Sequence, residues 1–312
     1  MKTAVTRRAI ELKSFAPEAM KEVIDGGNFE HYVLGSTACH FAGRQWTVGS
    51  FSVNSGRYSF PCRVLGAFPR NLVTIGFTRR MSAPGWFNGF EVHGGQMQII
   101  AEGGEANMYC APDAHWVAME MERDELQAVA WKHLGRELDL PRRGTMGFDV
   151  PSTLLAELDR LIMVSLRPDS DALSLRPAIV RAVVELLASH DTEILRATLR
   201  RHAERNRRLA DAERYLRRHM ANEFDADAFA SAMGRSERSL QLLFKEAYGI
   251  TPQQWARCLG LHMARRALQR IDPRLYTIQA VAEECGFHHM GRFSRYYQDL
   301  FGESPSVTLA DR

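Results

Sequence analysis

Arg238, Gln241 and Lys245 fall at i, i+3 and i+7 of one stretch, and Arg292 and Arg295 at i and i+3 of another. On a helix, such spacing puts each set on one face. The chemistry available to these side chains is the reading of nucleic acid. An Arg guanidinium can pair bidentately with guanine and a Gln amide with adenine, while Lys reaches phosphate oxygens. His288 and His289 stand just before the second set, Met290 opens its helix, and Gly291 leaves the backbone there bare for close approach. A merely solvated helix face has a similar composition, so the surrounding elements must decide.

Those elements occur twice. Ala228-Phe229-Ala230-Ser231-Ala232-Met233-Gly234 and Ala280-Val281-Ala282-Glu283-Glu284-Cys285-Gly286 each read as a short amphipathic helix stopped by glycine. A second helix follows each, Ser236 to Tyr248 and Met290 to Phe301, and the copies close with Gly249-Ile250-Thr251-Pro252 and Gly302-Glu303-Ser304-Pro305. The offset between copies is 52 residues before the turn and 53 after it, so the second turn holds one extra residue. Helix, tight turn, helix is the helix-turn-helix plan, whose second helix can enter the major groove. Ser236 suits the N-cap and Glu237 the positive end of the first such helix. Leu240, Leu243, Phe244 and Ala247 form its inward stripe; Phe293, Tyr297, Leu300 and Phe301 form that of the second. Pro252 starts a connecting helix through residues 252–270, about 28 Å long at 1.5 Å per residue. A connector of that length suits two recognition helices set near one DNA turn, roughly 34 Å, apart.

The chain has 312 residues, 45% hydrophobic and 25% charged, enough for two domains. Residues 206–312 carry 16 Lys/Arg against 13 Asp/Glu, so the whole net charge of +3 resides there. That excess is small for a phosphate binder. Cys39, Cys62, Cys110, Cys258 and Cys285 are odd in number and form no CxxC pair, which speaks against a disulfide framework or a zinc ribbon. No stretch reads as a signal peptide or approaches the roughly 20 apolar residues that span a bilayer, so a cytoplasmic location without membrane attachment is expected.

The front of the chain has a different texture. After an arm and a short helix near Pro17–Ile24, residues of about 28–121 read as short strands punctuated by Gly26-Gly27, Gly94-Gly95 and Gly103-Gly104. Trp46 and Val48 share a face; Phe51 and Val53 resume after Gly49-Ser50 with the phase shifted by one, as a bulge would do. An antiparallel barrel or jelly roll is expected. Helical periodicity follows over about 123–200, with one helix ending at Gly135. Pro141–Gly147 reads as a linker. Pro151-Ser152 opens a helix whose Leu154, Leu155, Leu158, Leu161 and Ile162 form either a dimer seam or a core stripe, and another helix starts near Ser174. The predicted organisation is α+β in two domains. Residues 1–200 form a barrel or jelly-roll-like sensing and dimerisation domain with following helices, and 208–312 an all-α tandem helix-turn-helix domain (first motif about 225–248, connector 252–270, second motif about 277–301), with the boundary near 190–208.

An enzymatic front domain finds little support. A metal-dependent cupin needs two or three histidines and a carboxylate on one ion. His31, His40, His93 and His115 form no His-x-His pair, although His93 and His115 could meet across strands. There is no Gly-x-Ser-x-Gly elbow, P-loop or dinucleotide fingerprint. No catalytic residue, metal ligand or cofactor is assigned. A small-molecule pocket fits better: Trp46, Phe51, Phe77, Trp86, Phe90, Tyr109 and Trp116 offer aromatic surface, with Arg57, Arg63 and His93 as orienting polar groups. Trp46, Arg57, Trp86, His93 and Trp116 are the candidate effector residues.

From Ala212 to about Thr308 the chain resembles the DNA-binding domain of AraC/XylS-type bacterial transcription regulators. The resemblance rests on Arg238-Ser239-Leu240-Gln241 through Phe244-Lys245, on Gly249-Ile250-Thr251-Pro252, and on Ala280-Val281-Ala282 with Cys285-Gly286-Phe287. Arg292-Phe293-Ser294-Arg295-Tyr296-Tyr297 and Phe301-Gly302-Glu303-Ser304-Pro305 complete it. The tail from Gly286 to Phe293, with Ser304 to Leu309, resembles the branch that includes regulators of ethanolamine-utilisation operons. The resemblance implies base contacts from Arg238, Gln241 and Leu242 in the first motif and from Met290, Gly291, Arg292 and Arg295 in the second; Lys245 and His289 complete the candidate DNA-contact set. Leu242 departs from the basic residue common at its place. The function implied is sequence-specific transcription regulation, chiefly activation, with double-stranded DNA, RNA polymerase, a small-molecule effector and a second copy of the chain as partners. The alternatives are a repressor, a ligand-independent regulator, and a cupin-like metalloenzyme with a DNA-binding tail.

Overall fold

Strand alternation buries both sides of the segment His115–Met121: Val117, Met119 and Met121 turn one way, Trp116, Ala118 and Glu120 the other, and Ala118 and Glu120 are as inaccessible as the methionines. A strand buried on both faces belongs at the centre of a layered fold. The computed structural model places it there. The structure describes residues 4–35, 39–88, 90–189, 192–272 and 275–310, with only the backbone at 18, 90, 192–203 and 206. The chain divides into two compact units: Met1–His31, Cys39–Ser59 and Val64–His202 in the first, Tyr32–Ala38, Phe60–Arg63 and Ala203–Arg312 in the second.

Twelve strands are described: β1 (Thr6–Leu12), β2 (Asn28–Val33), β3 (Phe41–Val48), β4 (Phe51–Tyr58), β5 (Cys62–Ala67), β6 (Val73–Arg80), β7 (Gly85–Phe87), β8 (Phe90–Val92), β9 (Gln96–Ile100), β10 (Glu105–Cys110), β11 (His115–Met121) and β12 (Thr145–Asp149). They form a seven-stranded sheet in the order β1-β3-β4-β11-β6-β9-β12 and a five-stranded sheet in the order β2-β5-β10-β7-β8. Among the described residues the β region is thus two antiparallel sheets, in keeping with the barrel or jelly-roll expectation, with neither sheet closed on itself.

Three helices of the first unit, α1 (Arg123–Leu134), α2 (Ser152–Ser165) and α3 (Ala172–Ala188), follow the strands. They share one core with the larger sheet, in which Leu155, Leu158 and Ile162 of α2 pack with Val180, Val183 and Val184 of α3 and with Met119 and Ile75. The α2 stripe is therefore core. Helix α1 ends at Gly135, in the left-handed conformation, as the periodicity implied.

Three local expectations are corrected. Gly49-Ser50 is the loop of a two-residue hairpin, not a bulge: β3 pairs antiparallel with β4, Val48 opposite Phe51, and Gly49 has φ +59°. Cross-strand partners share a face, so a hairpin shifts the phase between 48 and 51 just as a bulge does. Within Pro141–Gly147 the chain already turns into strand β12, paired with β9. Only Pro17–Met20 of the early helix forms, as a 3-10 turn.

Helix α4 (Thr192–Arg218) begins in the first unit and ends in the second, which then holds α5 (Ala226–Met233), α6 (Glu237–Tyr248), α7 (Pro252–Leu268), α8 (Ile278–Glu284), α9 (Met290–Phe301) and α10 (Pro305–Ala310). The connector α7 has 17 residues, about 26 Å, and stops short of the expected 270 with Gln269 as its C-cap. No described helix is long and apolar enough to cross a membrane.

Candidate nucleic-acid interface

Four helices of the second unit, α5 to α8, open on side-chain caps. Asp225 caps α5 by accepting from Ala228 N at 3.0 Å, and Gly234 ends it in the left-handed conformation. Ser236 accepts from Ser239 N at 3.3 Å to open α6. Thr251 and Gln254 form a reciprocal capping box at the start of α7, with Pro252 in its first turn. Thr277 caps α8 through Ala280 N at 3.1 Å. The second motif has no side-chain cap at His289, and its turn runs from Gly286 to His289, one residue longer than Gly234–Ser236.

The inward stripes set which faces remain free. Leu240, Phe244, Ala247 and Tyr248 bury one side of α6, and Phe244 meets Phe229 of α5 edge-on at 6.1 Å between centroids. Phe293 and Tyr297 bury one side of α9 against Leu261, Ala264 and Leu268 of α7 and Val281, Ala282 and Cys285 of α8. Toward its start, α7 carries Trp255, whose ring lies 5.9 Å from that of Tyr248. One helix thus supplies core to both motifs. Burial pushes the Cys285 thiol up to about 11, which leaves it a packed, unreactive group.

What faces away is the set expected from sequence. Arg238, Gln241, Leu242 and Lys245 on α6, and Gly291, Arg292 and Arg295 on α9, are exposed, as is His289 before α9; Met290 is half-buried beneath the second core. Leu242, at 53% exposure, is an apolar side chain in the middle of an otherwise polar row. Near Gly291 there is nothing within 4 Å of where a Cβ would stand. Tyr296 forms a platform beside the second row: the Arg257 guanidinium lies 4.4 Å and that of Arg295 5.5 Å from its ring centroid. These contacts hold cations beside Arg292 without neutralising them. Two rows of hydrogen-bond donors on well-packed helices can meet base edges and phosphates.

The candidate effector residues separate. Trp86 and Trp116, with Tyr109 and Phe77, line a cavity of about 100 Å³ whose walls come from both sheets of the first unit. Trp116 lies over Gly56, its partner in the ladder, where any Cβ would strike the indole. Trp46 is elsewhere: it faces the helices, its Nε1 donating to Ser165 Oγ at 2.9 Å, and Phe51 shares that core. Arg57 is exposed and paired with Asp113 at 2.8 Å, and His93 is exposed beside Gly94 O. Arg63 belongs to the second unit, where it is buried, paired with Glu213 at 2.5 Å and stacked 3.9 Å over Tyr248. The side chain of Phe90 lies outside the described residues. His115 meets Ser55 and Arg79, and burial with the Arg79 charge lowers it to about 4. Among the described residues no three His, Cys, Asp or Glu side chains converge to hold a metal ion.

A polar cluster escaped the sequence reading. Glu120 accepts from Ser52 and Asn54, all three buried, and Thr74 lies opposite Glu120 in the β6–β11 ladder. Burial raises the Glu120 carboxyl to about 8. The available signal was a lone acid between Met119 and Met121 in an apolar strand.

The Helix-turn-helix domain family model matches residues 229–311. A probable thc operon regulatory protein of Rhodococcus erythropolis is 36% identical over 95 residues, 30% of this chain and 29% of that protein. The HTH-type transcriptional activator RhaR of Pectobacterium carotovorum subsp. carotovorum (strain PC1) is 31% identical over 186 residues, 57% of this chain and 61% of that protein. The chain therefore covers less than two thirds of the length of either relative. A solved structure of a transcriptional regulator from Chromobacterium violaceum, described as having an AraC-type DNA-binding domain, is 28% identical with a TM-score of 0.32, covering 35% of this chain and 94% of that one.

Proposed function

The C-terminal domain of this chain is an AraC/XylS-type helix-turn-helix domain, and on that premise we propose that the protein is a sequence-specific DNA-binding transcription regulator. The observation that carries the proposal is the pair of exposed rows on α6 and α9, held by two cores that share α7. Gln241 and Arg238 read one major-groove segment, Arg292 and Arg295 the next, and Lys245 and His289 contact phosphates. The site is asymmetric because the rows differ. Activation is the direction supported, since RhaR is described as a transcriptional activator. The protein acts in the cytoplasm, touches RNA polymerase when bound, and has no catalytic step. Its N-terminal residues sense a small molecule and shift the population of DNA-competent molecules.

The test is selection of bound sequences from random duplexes by the full chain, followed by hydroxyl-radical footprinting. The expected result is one consensus with two protected segments on one face of the duplex, about one helical turn apart. Enrichment of no consensus, or of a single short segment, would overturn the reading.

A further inference from the structure

The cavity between the sheets of the first unit lies beside a buried cluster, Glu120, Asn54 and Thr74, with polar atoms left without partners; of the three, Thr74 lines the cavity. Its aromatic walls include Trp86 and Trp116, and its polar lining includes Thr74, Thr78 and Gln98. Thr74 joins this space to the buried cluster, because it lines the cavity and sits opposite Glu120 in the ladder, while Ala118, two residues from Glu120 on the same strand face, lines the cavity as well. Glu120 uses Oε2 to accept from Ser52 and Asn54; its Oε1 has no partner. Asn54 spends its amide N–H groups on Ser52 and Glu120, leaving Oδ1 without a partner, and Thr74 Oγ1 is also unsatisfied. Glu120 is fully buried, Asn54 is at 0% exposure and Thr74 at 1%. Orphaned buried polar atoms each carry a desolvation cost, and three side by side next to a cavity favour a ligand that brings matching donors.

The type of occupant follows from the imbalance. Asn54 Oδ1 is an acceptor, Thr74 Oγ1 is a hydroxyl that can accept, and Glu120 Oε1 becomes an acceptor once the carboxyl ionises. The charged side chain that acts on Glu120 is Asp25, another acid. An anion would meet acceptors and an ionisable acid, whereas an ammonium brings three N–H donors and a counter-charge for the carboxylate that forms as it binds. The size of the cavity, about 100 Å³, is on the order of the ~150 Å³ void that admits benzene, so the body must be compact. We propose that this space binds a small primary ammonium compound with a compact apolar body, its ammonium seated on Glu120, Asn54 and Thr74 and its body against Trp86 and Trp116. The proposal rests on the sensing role assigned above to the N-terminal residues and gives it a ligand chemistry.

Binding has a proton signature. Glu120, raised to about 8 by burial, is mostly protonated at pH 7. A seated ammonium favours its ionised form, so binding expels that proton.

The experiment is calorimetric titration of the full chain, without DNA, at pH 7 in phosphate and in MOPS, with benzylamine, benzyl alcohol and benzoate as probes. Benzylamine is expected to saturate one site and to release about one proton, read from the difference between the buffers. Benzyl alcohol should bind at least tenfold more weakly and benzoate not at all. Glu120→Gln, which leaves no buried acid, should weaken benzylamine at least tenfold and abolish proton release; Thr74→Val, close in shape, should weaken it severalfold. Equal binding of the alcohol or the acid, indifference to Glu120→Gln, or no heat at millimolar benzylamine would overturn the proposal. Because no DNA is present, such a failure leaves operator reading by α6 and α9 untouched.

Discussion

Tyr297 of α9 donates its hydroxyl to Thr308 of α10 at 2.8 Å, with both side chains buried. Thr308 passes the chain on to Glu303 at 2.6 Å, and Glu303 accepts from Arg265 of α7 at 3.2 Å. Burial pushes the Tyr297 phenol up to about 12, so it remains a donor throughout the ordinary pH range. Tyr297→Phe removes one link without changing shape, and the expected loss is about 1 kcal/mol in urea unfolding. An unchanged midpoint would show that the link contributes nothing to holding α9 on its supports.

Arg295→Ala tests base reading. At a selected site the variant should lose about 1–3 kcal/mol, and the consensus should relax at one position. Equal weakening on random duplex, with a reduced salt slope, would make Arg295 a phosphate contact instead.

Gly291→Ala should separate folding from binding. Its added Cβ meets nothing within 4 Å, and alanine favours a helix over glycine by roughly 0.5–1 kcal/mol, so the variant should be no less stable than its parent. If α9 lies against the duplex there, binding measured by fluorescence anisotropy should nevertheless fall. Undiminished affinity would place Gly291 away from the DNA.

Stability should decline as pH rises through the neutral range because of Glu120. A carboxyl raised to about 8 in the folded state binds a proton that the unfolded chain has already lost above about 4.5, so the folded state is progressively disfavoured between those values. Glu120→Gln should flatten this slope, matching the parent near pH 4 and exceeding it at pH 9. On the acid side, burial lowers His31 and His262 to about 3, so the stability they contribute above 6.5 is lost as pH falls toward 3. Urea midpoints across pH for parent and variant check both limbs; parallel curves would show that Glu120 is not the titrating group.

The second unit was legible in sequence because its determinants are local. Ser236, Thr251 and Pro252 act within one helical turn of themselves, and the apolar rows of α6 and α9 leave only one face for Arg238, Gln241, Arg292 and Arg295. The first unit depends on contacts distant in sequence. Alternation in β3 puts Trp46 on a definite face, but whether helices or a second sheet cover that face is decided by α2, more than a hundred residues on. Strand β12 was hidden because Gly144 and Gly147 carry the composition of a linker while β9 supplies the pairing. Glu120 passed unnoticed because a strand with one face in water would carry an acid at the same position.

Because α7 contributes core to both motifs, the two reading heads are indexed to each other by helical rotation. Adding one residue within α7 would advance the second head by only 1.5 Å but swing it by about 100° around the axis. Changes in the length of α7 therefore cannot proceed one residue at a time; only insertions close to whole turns, three or four residues, would keep the exposed rows of α6 and α9 on one side.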